Sequence, residues 1–185
     1  MPKYPRRVKS TGFIRKDAVN ETYVEAEERV YRWLLAGNFE VEDLRSQRTY
    51  CDFNIVSRTG NGAKWSVDVK CDSLAYTTGR LAFETHMWRG DDDNPQWQAP
   101  GWAMHEGLSY AAFVLPQTWT LLLVDMDRVR EVMVAVDEGL TNPDPDDWFA
   151  FSHKGNDNLH ARGVAIGIDY LRLLGCIKRE TTVGE

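Results

Sequence analysis

Residues 50–72 read YCDFNIVSRTGNGAKWSVDVKCD, and the way the two halves of this stretch pair decides the fold. In the first half, Cys51, Phe53 and Ile55 alternate with Asp52 and Asn54. In the second, Trp65, Val67 and Val69 alternate with Ser66, Asp68 and Lys70. Alternation of this kind marks a strand with one buried face. Thr59-Gly60-Asn61-Gly62 between them is turn chemistry, so the stretch reads as a β-hairpin. Side chains two apart on a strand share a face, which points Asp68 and Lys70 the same way. A three-residue loop, Gly60 to Gly62, sets Asp52 opposite Lys70 and Cys51 opposite Cys71. A two-residue loop at Asn61-Gly62 sends Asp52 to the other face, because a slip of one residue inverts every side chain. The three-residue loop is favoured because it gathers Cys51, Phe53, Ile55, Val67 and Val69 on one side, where they can share a core.

Outward from the hairpin, residues 1–19 read as an extended arm and residues 20–185 as one domain. A helix is expected from Asn20 to Ala36, stopped by Gly37-Asn38, with Tyr23, Ala26, Val30, Trp33 and Leu34 as its apolar stripe. Glu27 falls within that stripe. An acid there either bends to water at the rim or is aimed at a polar site, since a buried carboxylate needs a partner. A short strand begins at Phe39-Glu40-Val41, and another covers residues 81–86. Residues 87–108 look irregular. Their Asp91, Asp92 and Asp93, with His86 and His105, fit no ligand spacing. Trp88, Trp97 and Trp102 read better as packing under a long loop than as a stacking platform. Strands are expected over 111–115 and 119–124, then a helix capped by Asp125 and running to Val136. Residues 141–158 look loop-like, followed by a strand at 164–168 and a short helix capped by Asp169. The order of elements is that of a single α/β domain.

Composition narrows the class. The 185 residues are 43% hydrophobic and 11% aromatic, which is globular rather than disordered. No apolar run is long enough to span a bilayer, and no secretory apolar segment follows the basic N-terminus, so a cytoplasmic protein is expected. Three cysteines do not suggest a disulfide framework. Residues 1–16 hold six basic residues and no acid, so with a total of −6 the remainder carries −12. A basic arm on an acidic body either contacts phosphates locally or is a solvated tail.

A D-x-K tripeptide is common by chance, and Asp68 with Lys70 also reads as a solvated charge pair. The wider order changes its weight: a helix with an inward Glu, a strand with Asp52, then a strand with Asp68-Val69-Lys70. This order resembles the PD-(D/E)xK nuclease superfamily, whose restriction-endonuclease-like core is a central mixed β-sheet flanked by helices. Glu27, Val30, Leu34 and Gly37 are spaced like the first helix of its Holliday-junction-resolvase-like members. TTGRLAFETHM and the later GWAMHEGLSYAAFVLP and LLLVDMDRVREVM look like phage-encoded members, which would place the protein in a bacterial host cell. Cys51 stands where a proline often opens the motif, Arg80 replaces an Asn, and Ala112 falls near an expected Asp. The resemblance covers residues 20–135.

It implies metal-dependent hydrolysis of DNA. Asp52, Asp68 and the Val69 carbonyl would hold Mg²⁺ or Mn²⁺, Glu27 would hold a bound water or a second ion, and Lys70 would orient the attacking water or stabilise the transition state. Arg6, Arg7, Lys9, Arg45, Arg48, Arg58, Lys64 and Arg80 are the phosphate contacts to expect. A homodimer would suit an enzyme cutting both strands. The rival readings are a non-catalytic nucleic-acid binder on the same fold and an acidic interaction protein.

Overall fold

The computed structural model describes residues 16–47, 49–59, 62–91, 94–154 and 159–184. The hairpin forms. Strand β2 (Phe53–Ser57) and strand β3 (Lys64–Cys71) are antiparallel. Their partners are Phe53↔Val67 and Ile55↔Trp65, one pair displaced from the expected register. The connection runs over residues 58–63 and is closed by Ser57 N–H on the Ala63 carbonyl, so it is longer than the three-residue loop anticipated. Parity is kept, but Asp52 comes level with Asp68 rather than Lys70, and Cys51 does not meet Cys71.

A six-stranded mixed sheet grows on both sides of this hairpin, in the order β1-β2-β3-β6-β7-β10. Its other members are β1 (Phe39–Asp43), β6 (Tyr110–Leu115), β7 (Thr120–Asp125) and β10 (Ile177–Thr182). The β3–β6 pair is parallel and the rest are antiparallel. Helix α1 (Lys16–Ala36) covers one face. There Ala26, Val30 and Leu34, on one ridge at intervals of four, meet Phe53, Ile55, Val67 and Val69. The other face carries Ala111, Phe113 and Leu122, packed against helix α3 (Met126–Asp137) through Val129 and Met133. Cys51 joins this second cluster, because the chain bends before β2 begins. Asp125 caps α3 as expected, accepting from Arg128 N–H at 3.1 Å.

The expectation of irregular chain over 87–108 and 141–158 is corrected by a second, four-stranded antiparallel sheet ordered β5-β4-β9-β8. It comprises β4 (Arg80–Asp91), β5 (Asn94–Pro100), β8 (Trp148–Lys154) and β9 (Leu159–Gly167). Leu81, Phe83 and Ile166 dock it on the α3 side of the main sheet. A bulge interrupts the β4–β9 register between Glu84 and His86. Helix α2 (Ala75–Thr78) leads into β4, and helix α4 (Ile168–Leu173) follows β9 with Gly167, not Asp169, at its N-cap. Asp169 instead sits in the first turn and pairs with Arg172.

One buried cation ties the chain's two ends together. Arg29 on α1 is 8% exposed, donates to the Val183 carbonyl at 3.1 Å and to Glu25 at 2.7 Å, and lies 4.0 Å from the Trp119 ring centroid. Trp119 closes the β6–β7 turn with φ 52, and its carbonyl accepts Val183 N–H.

Two glycines clamp the bulge. A Cβ on Gly163 would lie 2.1 Å from the Phe83 carbonyl oxygen, and one on Gly101 would lie 2.2 Å from that of Glu84. Neither obstacle can move without shifting a strand. Gly163→Ala is therefore expected to lower the Tm by roughly 5–10 °C, whereas Gly184→Ala, with nothing within 4 Å, leaves it unchanged. A thermal melt of the two variants checks this.

Candidate active site

The β2–β3 ladder ends at Phe53↔Val67, and past that point the Val69 backbone has no strand partner on its β2 side. Side chains take the strand's place. Asp52 Oδ2 accepts Val69 N–H at 2.7 Å, and the Tyr23 hydroxyl donates to the Val69 carbonyl at 2.5 Å. The split that frees Val69 thus draws in the residue before β2 and the first turns of α1. Asp68 is 8% exposed, hydrogen-bonds Asp52 and lies 2.6 Å from Lys70 Nζ. Lys70 Nζ in turn lies 4.8 Å from the ring centroid of Trp102, on a 3-10 turn (Trp102–Met104) between β5 and β6. Trp102 is itself packed on Phe83 and Phe113.

The electrostatics follow from crowding acids in a dry place. Burial, countered in part by Lys70 and reinforced by Asp52, lifts the Asp68 carboxyl from 3.8 to about 6. Burial also raises Glu27, helped by the charges of Asp52 and Asp68 and opposed by Arg45. Burial raises Tyr23 first, and the charges of Asp68, Asp52 and Glu27 add to it, so its hydroxyl stays a donor. Lys70 pairs with Asp68, Asp52 accepts from Val69 N–H, and Glu27 lies near enough to feel the charges of both aspartates. Burial pushes the thiols of Cys51, Cys71 and Cys176 each up to about 11, which removes a thiolate nucleophile from consideration.

Tyr23 is the functional residue that sequence reasoning missed, having been read as part of the apolar stripe. The signal was available: Tyr23 and Glu27 are four apart and lie on the same helix ridge.

The basic residues scatter. Arg45 is engaged by Asp43 at 2.6 Å and Glu28 at 3.3 Å and lies over the rings of Tyr31 and Phe53. Arg80 donates to the Asp146 carbonyl at 2.6 Å and lies over Phe149. Arg58 and Lys64 are exposed at the turn end of the hairpin, away from the acids. Arg6, Arg7, Lys9 and Arg48 lie outside the described residues, as do Asp92 and Asp93.

The donor set is hard oxygen throughout. Among the described residues no three His, Cys, Asp or Glu side chains cluster to cage an ion. What is present is a carboxylate pair beside a backbone carbonyl. That pair fits Mg²⁺, which commonly takes one or two carboxylates and fills its other positions with water and substrate phosphate, better than Ca²⁺, which wants six to eight ligands. The Val69 carbonyl keeps a second lone pair beyond the one facing Tyr23.

No family model matches the sequence, and no curated protein is similar to it. Among solved structures, the bacterial homing endonuclease I-Ssp6803I is similar over 60% of this chain and 70% of its own, at 15% identity and a TM-score of 0.44. A likeness of that size defines neither fold nor activity. No helix among the described residues is long and apolar enough to cross a membrane.

Asp68 gives a pH signature. Its folded value lies above its unfolded one, so its contribution to stability is complete below pH 3.8 and is lost as the pH rises through about 6. Asp68→Asn does not titrate. The metal-free variant should therefore gain on the wild type by on the order of 2 kcal/mol between pH 4 and pH 7, measured as the difference of their denaturant unfolding curves.

Proposed function

We propose that this chain is a metal-dependent deoxyribonuclease of the PD-(D/E)xK type. The observation that carries the reading is the meeting of Asp52, Asp68 and Lys70 at the one point where the central sheet splits and a backbone carbonyl is exposed to them. Asp52, Asp68 and the Val69 carbonyl would hold Mg²⁺ or Mn²⁺. Such an ion, when bound, supplies a more acidic water and offsets charge gathering on the phosphate oxygens.

The chain's own residues do the rest. The Lys70 ammonium lies over the Trp102 ring and is paired with Asp68, where it would orient a water and stabilise the oxyanion. Glu27, raised by burial, would hold that water from the helix side. Tyr23 fixes the Val69 carbonyl and ties α1 to the site. The phenyl and indole surfaces of Phe83, Phe113 and Trp102 limit the access of bulk water.

One observation favours a second reading, a nucleic-acid binder that does no chemistry. Lys70 already neutralises Asp68 at 2.6 Å, so the pocket is a closed ion pair with Asp52 and Glu27 as surplus acids. Metal dependence separates the two. Asp68→Ala and Lys70→Ala should each cut Mg²⁺-dependent cleavage of plasmid and of branched DNA at least a thousandfold, while far-ultraviolet circular dichroism stays native. Cleavage that survives either substitution, or that ignores chelation of divalent ions, overturns the assignment.

A further inference from the structure

Beside the acidic pocket lies a second concavity of about 540 Å³ that the proposed chemistry does not use, lined by His86, Trp88, Gln98, Pro100, Met104 and Arg162 among others. It is one 3-10 turn away from the acids. Met104 lines it, while Trp102 of the same turn covers Lys70. It also lies on the inner face of the second sheet. Arg162 follows Ile166 and Val164 at two-residue spacing on β9, and the bulge on β4 returns His86 and Trp88 to the face of Leu81 and Phe83.

Its chemistry differs from that of the rest of the molecule. In a chain of net charge −6, none of its described lining residues is a carboxylate. Its cation is presented as a plane. The Arg162 guanidinium lies 4.9 Å from the Trp88 ring centroid, and His160 stacks on Trp88 at 5.1 Å and 25°. Trp88 is buried, whereas Arg162 is exposed. The guanidinium thus lies over the indole at the lining of the cavity and keeps exposed surface there. The bulge residue Thr85 fixes the rim: its hydroxyl donates to the Arg162 carbonyl at 3.3 Å and meets His86 Nδ1 at 3.1 Å. A hydroxyl has one proton, so with it on the Arg162 carbonyl the Nδ1 position is the donor to Thr85. The exposed Gln98 amide adds a donor and an acceptor.

A flat cation backed by an aromatic ring, beside hydrogen-bonding side chains and free of acids, suits a nucleobase and its phosphate. Guanidinium planes stack unpaired bases, and the edge groups reach a base only when it is out of a duplex. We infer that this cavity binds an unpaired nucleotide, stacked on Arg162, next to the phosphodiester held at Asp52 and Asp68. The identity of the strand rests on the nuclease reading; the cavity's taste for a single-stranded base does not.

The test uses the full chain in EDTA, so that no strand is cut. Binding of a fluorescent ten-residue oligothymidine and of a blunt duplex of equal length is measured by anisotropy. The wild type should bind the single strand at least tenfold tighter than the duplex. Arg162→Ala and Arg162→Lys should each weaken single-strand binding about tenfold and change duplex binding less than twofold, in line with the strength of base stacking. The lysine variant keeps the charge and loses the plane, so recovery by lysine overturns stacking. Single-strand binding that is absent, or indifferent to Arg162→Ala, overturns the inference as well. A wild type that binds the single strand through Arg162 but never cleaves with Mg²⁺ overturns the nuclease reading alone. Cleavage with Arg162-indifferent binding overturns this inference alone.

Discussion

The candidate site is organised around two backbone atoms, the amide and carbonyl of Val69. Inside a sheet they would be consumed by the neighbouring strand. Here that strand has ended, and a buried peptide group without a partner costs about 1–3 kcal/mol. Asp52 and the Tyr23 hydroxyl remove that cost. In doing so they bring together parts of the chain that share no secondary structure. A gap in hydrogen bonding thus acts as the organising force, and Asp68 and Lys70 are carried into it by the alternation of β3.

Collecting acids in such a place is unfavourable for folding. One ammonium, at Lys70, pairs with Asp68, while Asp52 lies beside Asp68 and Glu27 is close enough to feel both acids. Burial makes the pair more costly than an apolar substitute would be. The surrounding core bears that cost. Phe53, Val67 and Val69 meet α1 on one side, and Phe83, Phe113 and Trp102 pack on the other, so the charged residues sit in a rigid wall rather than on a loop.

Much of this can be read before any coordinates. Alternation alone shows the hairpin and the shared face of Asp68 and Lys70, because apolar and polar residues keep to opposite sides of each strand. The register slipped by a pair because apolar content cannot distinguish two loops of equal parity. The second sheet escaped for a different reason. The bulge at Thr85 breaks the period of two just where the strand leaves the core, and the acidic run from Asp91 reads in sequence as a solvated loop. The last strand, IKRETT, is a polar sheet edge with five of its six residues charged or hydroxyl-bearing, a common way to discourage unwanted pairing, and so it lacks a buried stripe. Asp169 looked like a cap because its residue type suits one, whereas Gly167 held the geometry. Tyr23 was hidden by the assumption that an aromatic residue on an apolar stripe is only packing.

The buried guanidinium of Arg29 carries a temporal consequence. Its contact with the carbonyl of Val183 spans 154 positions, and α1 brings Tyr23 and Glu27 to the pocket. Because synthesis runs from the amino end, the helix waits for this anchor until Val183 has been made, long after its own residues. The pocket that takes Tyr23 and Glu27 from this helix is therefore completed only after the strands that lie between the two contacts in sequence have been made.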